Sequence, residues 1–157
     1  MNVVGVGGIA GALFFSGWYI WPEHRPVYDL SIETAQARLQ GMGFEEGILA
    51  HVPVTVAAER TQVGRSVHWS FGGTGSGFRA SSCTVALDPI APARTGARLS
   101  CAVDNADPVI ASRAAALLEL VVGEHASAAL TGRPFDRSRM GHKFIAFGAA
   151  EAVSRTR

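Results

Sequence analysis

From Val3 to Trp21 the sequence runs for 19 residues without a charged side chain, and this stretch limits what the chain can become more than anything after it. At ~1.5 Å per residue, a helix of that length approaches the ~30 Å hydrocarbon core of a bilayer. Trp18, Tyr19 and Trp21 lie together at one end, where aromatic rings favour the lipid–water boundary. Pro22 then stops the helix ahead of Glu23, His24 and Arg25. Residues 1–22 therefore read as a transmembrane anchor, and residues 23–26 as a short, stiff linker. A cleaved signal peptide needs a basic first segment and a small-x-small cleavage site, and this stretch has neither. A buried helix of a soluble core would need cover for bulky aromatics on every side.

The glycines of the run carry a second message. Gly5-Val6-Gly7-Gly8-Ile9-Ala10 fits the G-x-G-x-x-A turn that cradles dinucleotide phosphates. That turn needs a strand before it, an amphipathic helix after it and an acidic residue about 20 positions on. Asn2-Val3-Val4 is too short for such a strand, the following residues are apolar all round, and Glu23 stands at a proline-flanked break. On a helix, Gly7 and Gly11 instead form G-x-x-x-G, and Gly8, Ala12 and Ser16 form a neighbouring stripe of small residues. Such a face lets another transmembrane helix approach closely, so the expected partners are the bilayer and other transmembrane subunits.

About 130 residues remain outside the run, enough for one domain with its own core. The formal charge of +1 and the lack of a basic run interleaved with aromatics give no footprint for nucleic acid. Charge is nevertheless uneven: residues 133–157 hold Arg133, Arg137, Arg139, Lys143, Arg155 and Arg157 against Asp136 and Glu151, a surplus of four. Residues 136–157 read as a basic tail, suited to anionic head groups, to an acidic partner or simply to solvent. Lys143 is the only lysine against 13 arginines, which resembles the codon bias of GC-rich bacterial genomes.

Residues 27–135 read as an α+β domain. Val27 to Leu30 is a short strand, and Ser31 caps a helix through Met42 with Glu33 in its first turn. Period-two alternation follows at Val52, Val54, Val56 and Ala58, and after a turn near Gly64 at Val67, Trp69 and Phe71, predicting a hairpin. Gly72-Gly73-Thr74-Gly75-Ser76-Gly77 lacks the Lys-Ser/Thr of a nucleotide-binding loop and reads as a connection between strands. Asp107-Pro108 is a helix start, and Ile110, Ala114, Leu117, Leu118, Val121, His125 and Ala129 form an apolar stripe that ends at Gly132-Arg133-Pro134. A helix of this length is expected to lie across the sheet. The apolar group Phe144-Ile145-Ala146-Phe147 in the tail has no assigned place.

The second hairpin is the most informative part of the domain. Cys83, Val85 and Leu87 alternate on one strand and Ala97, Leu99 and Cys101 on the next, with Asp88 to Thr95 as the turn. With the turn centred near Pro92, Val85 faces Leu99 and Cys83 faces Cys101. Opposed residues on one face have β-carbons about 4.5–5.5 Å apart, within bridging reach. Either the two cysteines are bridged, which places the domain in an oxidising compartment, or they are two small buried thiols in a reduced protein. By the positive-inside rule, His24 and Arg25 favour a cytoplasmic domain. The facing cysteines favour a periplasmic one, and localisation is expected at a bacterial inner membrane with the domain outside the cytoplasm.

The order of strand, helix, four antiparallel strands and long last helix resembles the START-like helix-grip superfamily of polyketide-cyclase and lipid-transfer domains. Val27 to Met42, Val67-His68-Trp69-Ser70-Phe71, the Cys83 to Cys101 hairpin and the helix running to Gly132-Arg133-Pro134-Phe135-Asp136 carry the likeness. The sequence supplies at least one strand fewer than that superfamily, so the sheet is expected to hold four to six. The resemblance implies a curved sheet around the last helix and an apolar cavity between them, lined by Val54, Val67, Trp69, Phe71, Val85 and Leu117, that takes a lipid or another apolar molecule. The same residues are what any ordinary core would use, and core is the preferred reading.

Catalytic chemistry has no footing in the pattern. His24, His51, His68, His125 and His142 stand at no metal spacing, and no C-x-x-C pair or G-x-S-x-G elbow is present. No catalytic residue, metal ligand or cofactor is expected; His125 reads as a packed histidine of the helix stripe and His68 as an exposed one opposite Trp69.

Overall fold

The computed structural model describes residues 25–44, 49–72 and 80–142. Strand β1 (Val27–Tyr28), helix α1 (Ile32–Gln40), strands β2 (Val54–Arg60), β3 (Arg65–Phe71), β4 (Ser81–Ala91) and β5 (Arg94–Val103), and helix α2 (Pro108–Thr131) follow in that order. All strand pairs are antiparallel, and the sheet order is β1-β5-β4-β3-β2. The result is an α+β domain with five strands and a long helix after the last.

The alternation seen in the sequence decides the two faces. Val67, Trp69, Phe71, Cys83, Val85, Leu87, Ala97 and Leu99 point to the inner face and are buried. Helices α1 and α2 cover that face, and Ala35, Leu39, Leu118, Val121, Val122 and Leu130 join the same core. The outer face carries Ser66, His68, Ser70, Ser82, Thr84, Arg98 and Ser100, small or polar residues suited to water.

Local signals set the helix ends. Ser31 accepts from the Thr34 amide at 3.2 Å, and the Asp107 carboxylate accepts from the Val109 and Ile110 amides with Pro108 at the first helical position. Gly132 closes α2 at φ 68°, a left-handed conformation that glycine adopts without strain. Arg38 of α1 donates to the Leu130 carbonyl at 2.9 Å, so the first helix satisfies the end of the last. Gln36 ties α1 to the β2–β3 hairpin, donating to the Glu59 and Ser66 carbonyls and accepting from Arg65 at 2.7 Å.

Three expectations change. The first strand ends at Tyr28 instead of Leu30, because the Leu30 amide turns back to the Tyr28 carbonyl and the Leu30 carbonyl accepts from the Thr95 hydroxyl. Residues Asp88 to Thr95 are mostly strand, leaving only Pro92 and Ala93 as the turn. Ladder pairing with β3 stops at Leu87, so Pro89 sits where its missing N–H deprives no neighbour of a bond. A register shift lies between Pro89 and Ala91, on the turn side of the cysteines, and the pairing Cys83↔Cys101 is as the sequence predicts. Finally, the α2 stripe begins later than expected: Ile110 is 51% exposed, Leu117 and Ala129 are only half-buried, and the first buried residue is Leu118, with unbroken burial from Leu120 to Ala126. Glu119 bonds the Cys101 amide near the end of the sheet, so the turns before it reach past the last ladder pair, Ser81↔Val103.

At Gly64 the β2–β3 turn presses on β4. A β-carbon there would collide with the Leu87 carbonyl oxygen. Gly64→Ala is expected to cost about 1–3 kcal/mol, the usual range for overpacking, read as a lowered Tm with unchanged far-ultraviolet circular dichroism at low temperature.

Cys83 and Cys101 are joined by a disulfide whose Cα atoms are 4.1 Å apart. It closes a loop spanning a sequence separation of 18, for which chain entropy gives about 3 kcal/mol. Reductant is expected to lower the urea midpoint of the full chain by a corresponding amount, and a Cys83→Ala, Cys101→Ala variant should show no response to reductant.

Candidate functional site

The disulfide hairpin places three features side by side. The Cys101 N–H points away from β4, toward the edge of β5 that the two-residue β1 leaves open. Glu119 of α2 supplies the acceptor there, its Oε1 lying 2.9 Å from the Cys101 nitrogen. Half-burial pushes the Glu119 carboxyl above its ordinary value, and the bond from Cys101 opposes that rise.

Inside the same hairpin, Trp69 faces Cys83 and Phe71 faces Ser81. Trp69 is fully buried and Ser81 nearly so, yet the Trp69 Nε1 and the Ser81 Oγ have no hydrogen-bond partner among the described residues. Of the residues assigned to an apolar cavity, Val67, Trp69, Phe71 and Val85 pack together in the core, Val54 packs on it from the edge strand, and Leu117 lies outside the cluster. The inner face thus holds two buried groups with unused hydrogen-bonding capacity beside apolar side chains.

Ser81 also opens onto a groove of about 810 Å³ at the end of the sheet away from the β4–β5 turn. His68, Ser70, Phe71, Ala80, Val103 and Asp104 shape it. His68 lies on the outer face as expected, but it is half-buried instead of exposed. Its Nδ1 is 2.9 Å from the Thr84 hydroxyl and its Nε2 3.2 Å from the Ser70 hydroxyl, which hold the ring down on the strand. A hydroxyl next to an imidazole has the composition of a nucleophile–base pair. Here the third partner is the uncharged Thr84 hydroxyl, which cannot stabilise an imidazolium as a carboxylate does, so the trio suits hydrogen bonding to a polar ligand better than acyl transfer.

A second polar cluster sits at the end of α2. Glu124 is buried and paired with Arg133 at 2.7 Å. Burial pushes the Tyr28 phenol above its ordinary value, against the lowering effect of its hydrogen bond with Ser127. His125 is buried as expected, stacked on Phe135 with ring centroids 4.1 Å apart and edge-on to Phe44 at 5.1 Å. The buried ion pair is what sequence reasoning missed. Its one signal is the reversal at Gly132, which folds Arg133 back over the helix turn that carries Glu124.

Asp136 starts a short helix at 137–142, accepting from the Ser138 amide and hydroxyl, and these bonds hold its carboxyl below the ordinary value. No cluster of three or more His, Cys, Asp or Glu able to hold a metal occurs among the described residues. The helix-packing residues Gly7, Gly8, Gly11, Ala12 and Ser16 and the interfacial Trp18, Tyr19 and Trp21 lie outside the described residues, as does the tail from Lys143. Among those described, α2 is long and apolar enough to cross a membrane by length and composition; in the fold most of its apolar stretch is buried.

The Glu119 bond makes a pH prediction. Because burial raises the folded-state value of Glu119 despite this bond, the stability linked to its protonated form is complete below the ordinary glutamate value and is lost as pH rises through the folded one. Glu119→Gln keeps an oxygen for the Cys101 amide without the charge. The Tm of this variant minus that of the native chain is expected to grow as pH rises above the ordinary glutamate range, and parallel Tm profiles would contradict the assignment.

The chain matches no protein-family model, no curated protein and no solved structure.

Proposed function

We propose that this is a single-pass membrane protein whose transmembrane helix packs on partner helices and whose small extramembrane domain braces a protein partner, as an accessory subunit of a membrane complex does. The observation that carries the reading is the uncharged run from Val3 to Trp21 with its adjoining stripes, Gly7 with Gly11 and Gly8 with Ala12 and Ser16. The disulfide supports a domain outside the cytoplasm, in the periplasm of a bacterium, since such bonds persist in oxidising compartments. Val109 and Ile110, 55% and 51% exposed at the start of α2, give the domain an apolar contact for a partner.

A second reading, a membrane-tethered helix-grip domain that binds a lipid or another apolar molecule, is favoured by one observation. The buried Trp69 Nε1 and Ser81 Oγ, on the inner face that the helices cover, have no hydrogen-bond partner among the described residues, and an apolar ligand with one acceptor oxygen would satisfy either.

Extraction of the full-length protein in mild detergent, followed by size analysis and mass spectrometry, separates the two. Stoichiometric partner subunits that are lost with Gly7→Leu and Gly11→Leu are the expected result. A monomer carrying only lipid would overturn the accessory reading and leave the helix-grip one.

A further inference from the structure

Where the described chain begins, an apolar pair is set among arginines. Arg25 donates to Asp88 at 2.6 Å, Arg98 lies 3.8 Å from the same carboxylate, and Arg94 lies 3.6 Å from Asp29. All three arginine side chains are more than half exposed. Between them are Val27, 42% exposed, and Ile90, 53% exposed. Val27 pairs with Gly96, and the Ile90 Cδ1 lies 3.2 Å from where a Gly96 β-carbon would stand. The absent side chain at Gly96 is what lets Ile90 lie over β5 beside β1.

We propose that this corner is a contact surface for anionic phospholipid head groups, with Val27 and Ile90 at the lipid–water boundary and the arginines directed to phosphates. The inference rests on the reading of Val3 to Trp21 as a membrane span. Only four residues lead from Trp21 to Arg25. Fully extended they reach at most ~14 Å, at ~3.3–3.6 Å per residue, so the span would hold this corner next to the head groups whatever the rest of the domain does. The arginines outnumber Asp29 and Asp88 by one. Their long stems can lie along apolar surface while the guanidinium groups stay in the phosphate layer. Two apolar side chains and a small charge surplus would not bring a free protein to a membrane. Tethering changes that, because a weak contact becomes intramolecular, and its effect is to fix the tilt of the domain on the bilayer.

The test uses the full chain in lipid nanodiscs made of phosphatidylcholine alone or mixed equally with phosphatidylglycerol. An environment-sensitive nitrobenzoxadiazole label is placed through Ile90→Cys or, for comparison, Val109→Cys; both sites are exposed, and the native cysteines are closed in their disulfide. Val109 follows the opposite end of the sheet, about 27 Å from Ile90's end at ~3.4 Å per residue over the eight residues from Ser81 to Pro89. Emission from position 90 is expected to shift to the blue in mixed discs, and position 109 to read as water in both. Arg94→Glu with Arg98→Glu should remove the difference between the two disc types at position 90. Disc-bound protein whose position 90 reads as water in both compositions would overturn this inference alone. An equal blue shift in neutral and mixed discs would overturn the assignment to anionic head groups. Protein recovered outside the discs would overturn the span, and this inference with it.

Discussion

Cys83 and Cys101 face each other because the two-residue turn at Pro92 and Ala93 and the one-residue shift between Pro89 and Ala91 together set the pairing of the β4–β5 hairpin, and the bridge then holds that pairing fixed. A slip of one residue between turn and bridge would carry Val85, Leu87 and Leu99 to the solvent face together with the cysteines. The one irregularity in the hairpin falls between Pro89 and Ala91, where β3 no longer pairs, and it moves the register from Ala91↔Arg94 to Pro89↔Thr95, the register that carries through to the cysteines. The rest of the domain is assembled on this hairpin. Its β4 side receives β3 and then β2, and its β5 side receives β1 and α2.

The β5 side shows how an exposed edge is managed. Strand β1 covers only Thr95 and Gly96 as a ladder, with the Pro26 carbonyl extending the cover to the Ala97 amide. Beyond that, α2 takes over, and the Glu119 carboxylate meets the Cys101 N–H. An unpaired edge is a template for association with other strands, and a helix carrying a side-chain acceptor closes it without another strand. The cost is a half-buried carboxylate, whose desolvation makes it harder to ionise.

What could be read in the sequence and what could not divide along a physical line. The register of Cys83 with Cys101, the caps at Ser31 and Asp107, the stop at Gly132 and the alternation of Val67, Trp69 and Phe71 are local, since each needs only neighbours in the chain or one short turn. The overhang of α2, the burial of Glu124 against Arg133 and the lodging of His68 between Thr84 and Ser70 depend on where elements meet in space. Periodicity gave Ile110 and Leu117 the same weight as Leu118 and Val121, because a helical stripe does not reveal where the sheet beneath it ends. Proline was the other source of error. Pro89 and Pro92 look like one long turn, whereas only the second lies in it. Of the residues considered for an apolar cavity, the burial of Val67, Trp69, Phe71 and Val85 was legible as alternation; that Trp69 Nε1 and Ser81 Oγ have no partner among the described residues was not, since it is a property of the packed state.

Two lines bear on which side of a membrane such a domain would stand, and they differ in strength. Flanking charge favours the cytoplasm through His24 and Arg25, but the packed domain already engages Arg25 with Asp88 at 2.6 Å, so its charge belongs to the surface of the fold as well as to the linker. The disulfide is the stronger line. It lies on the inner face with Cys83 buried and Cys101 half-buried, is shared by the two longest strands, and such a bond is retained where thiols are oxidised. An accessory role and a lipid-holding role then make different demands on the same helix. Bracing a partner uses the exposed first turns of α2, where Val109 and Ile110 stand clear of the sheet, and leaves the inner face shut. Holding a lipid would need space to open in the packed core beside Trp69 and Ser81, and the buried Glu124–Arg133 pair resists movement of α2. The proposed accessory role asks nothing of the core that the packed domain does not already provide, a difference that adds to the support from the uncharged run between Val3 and Trp21.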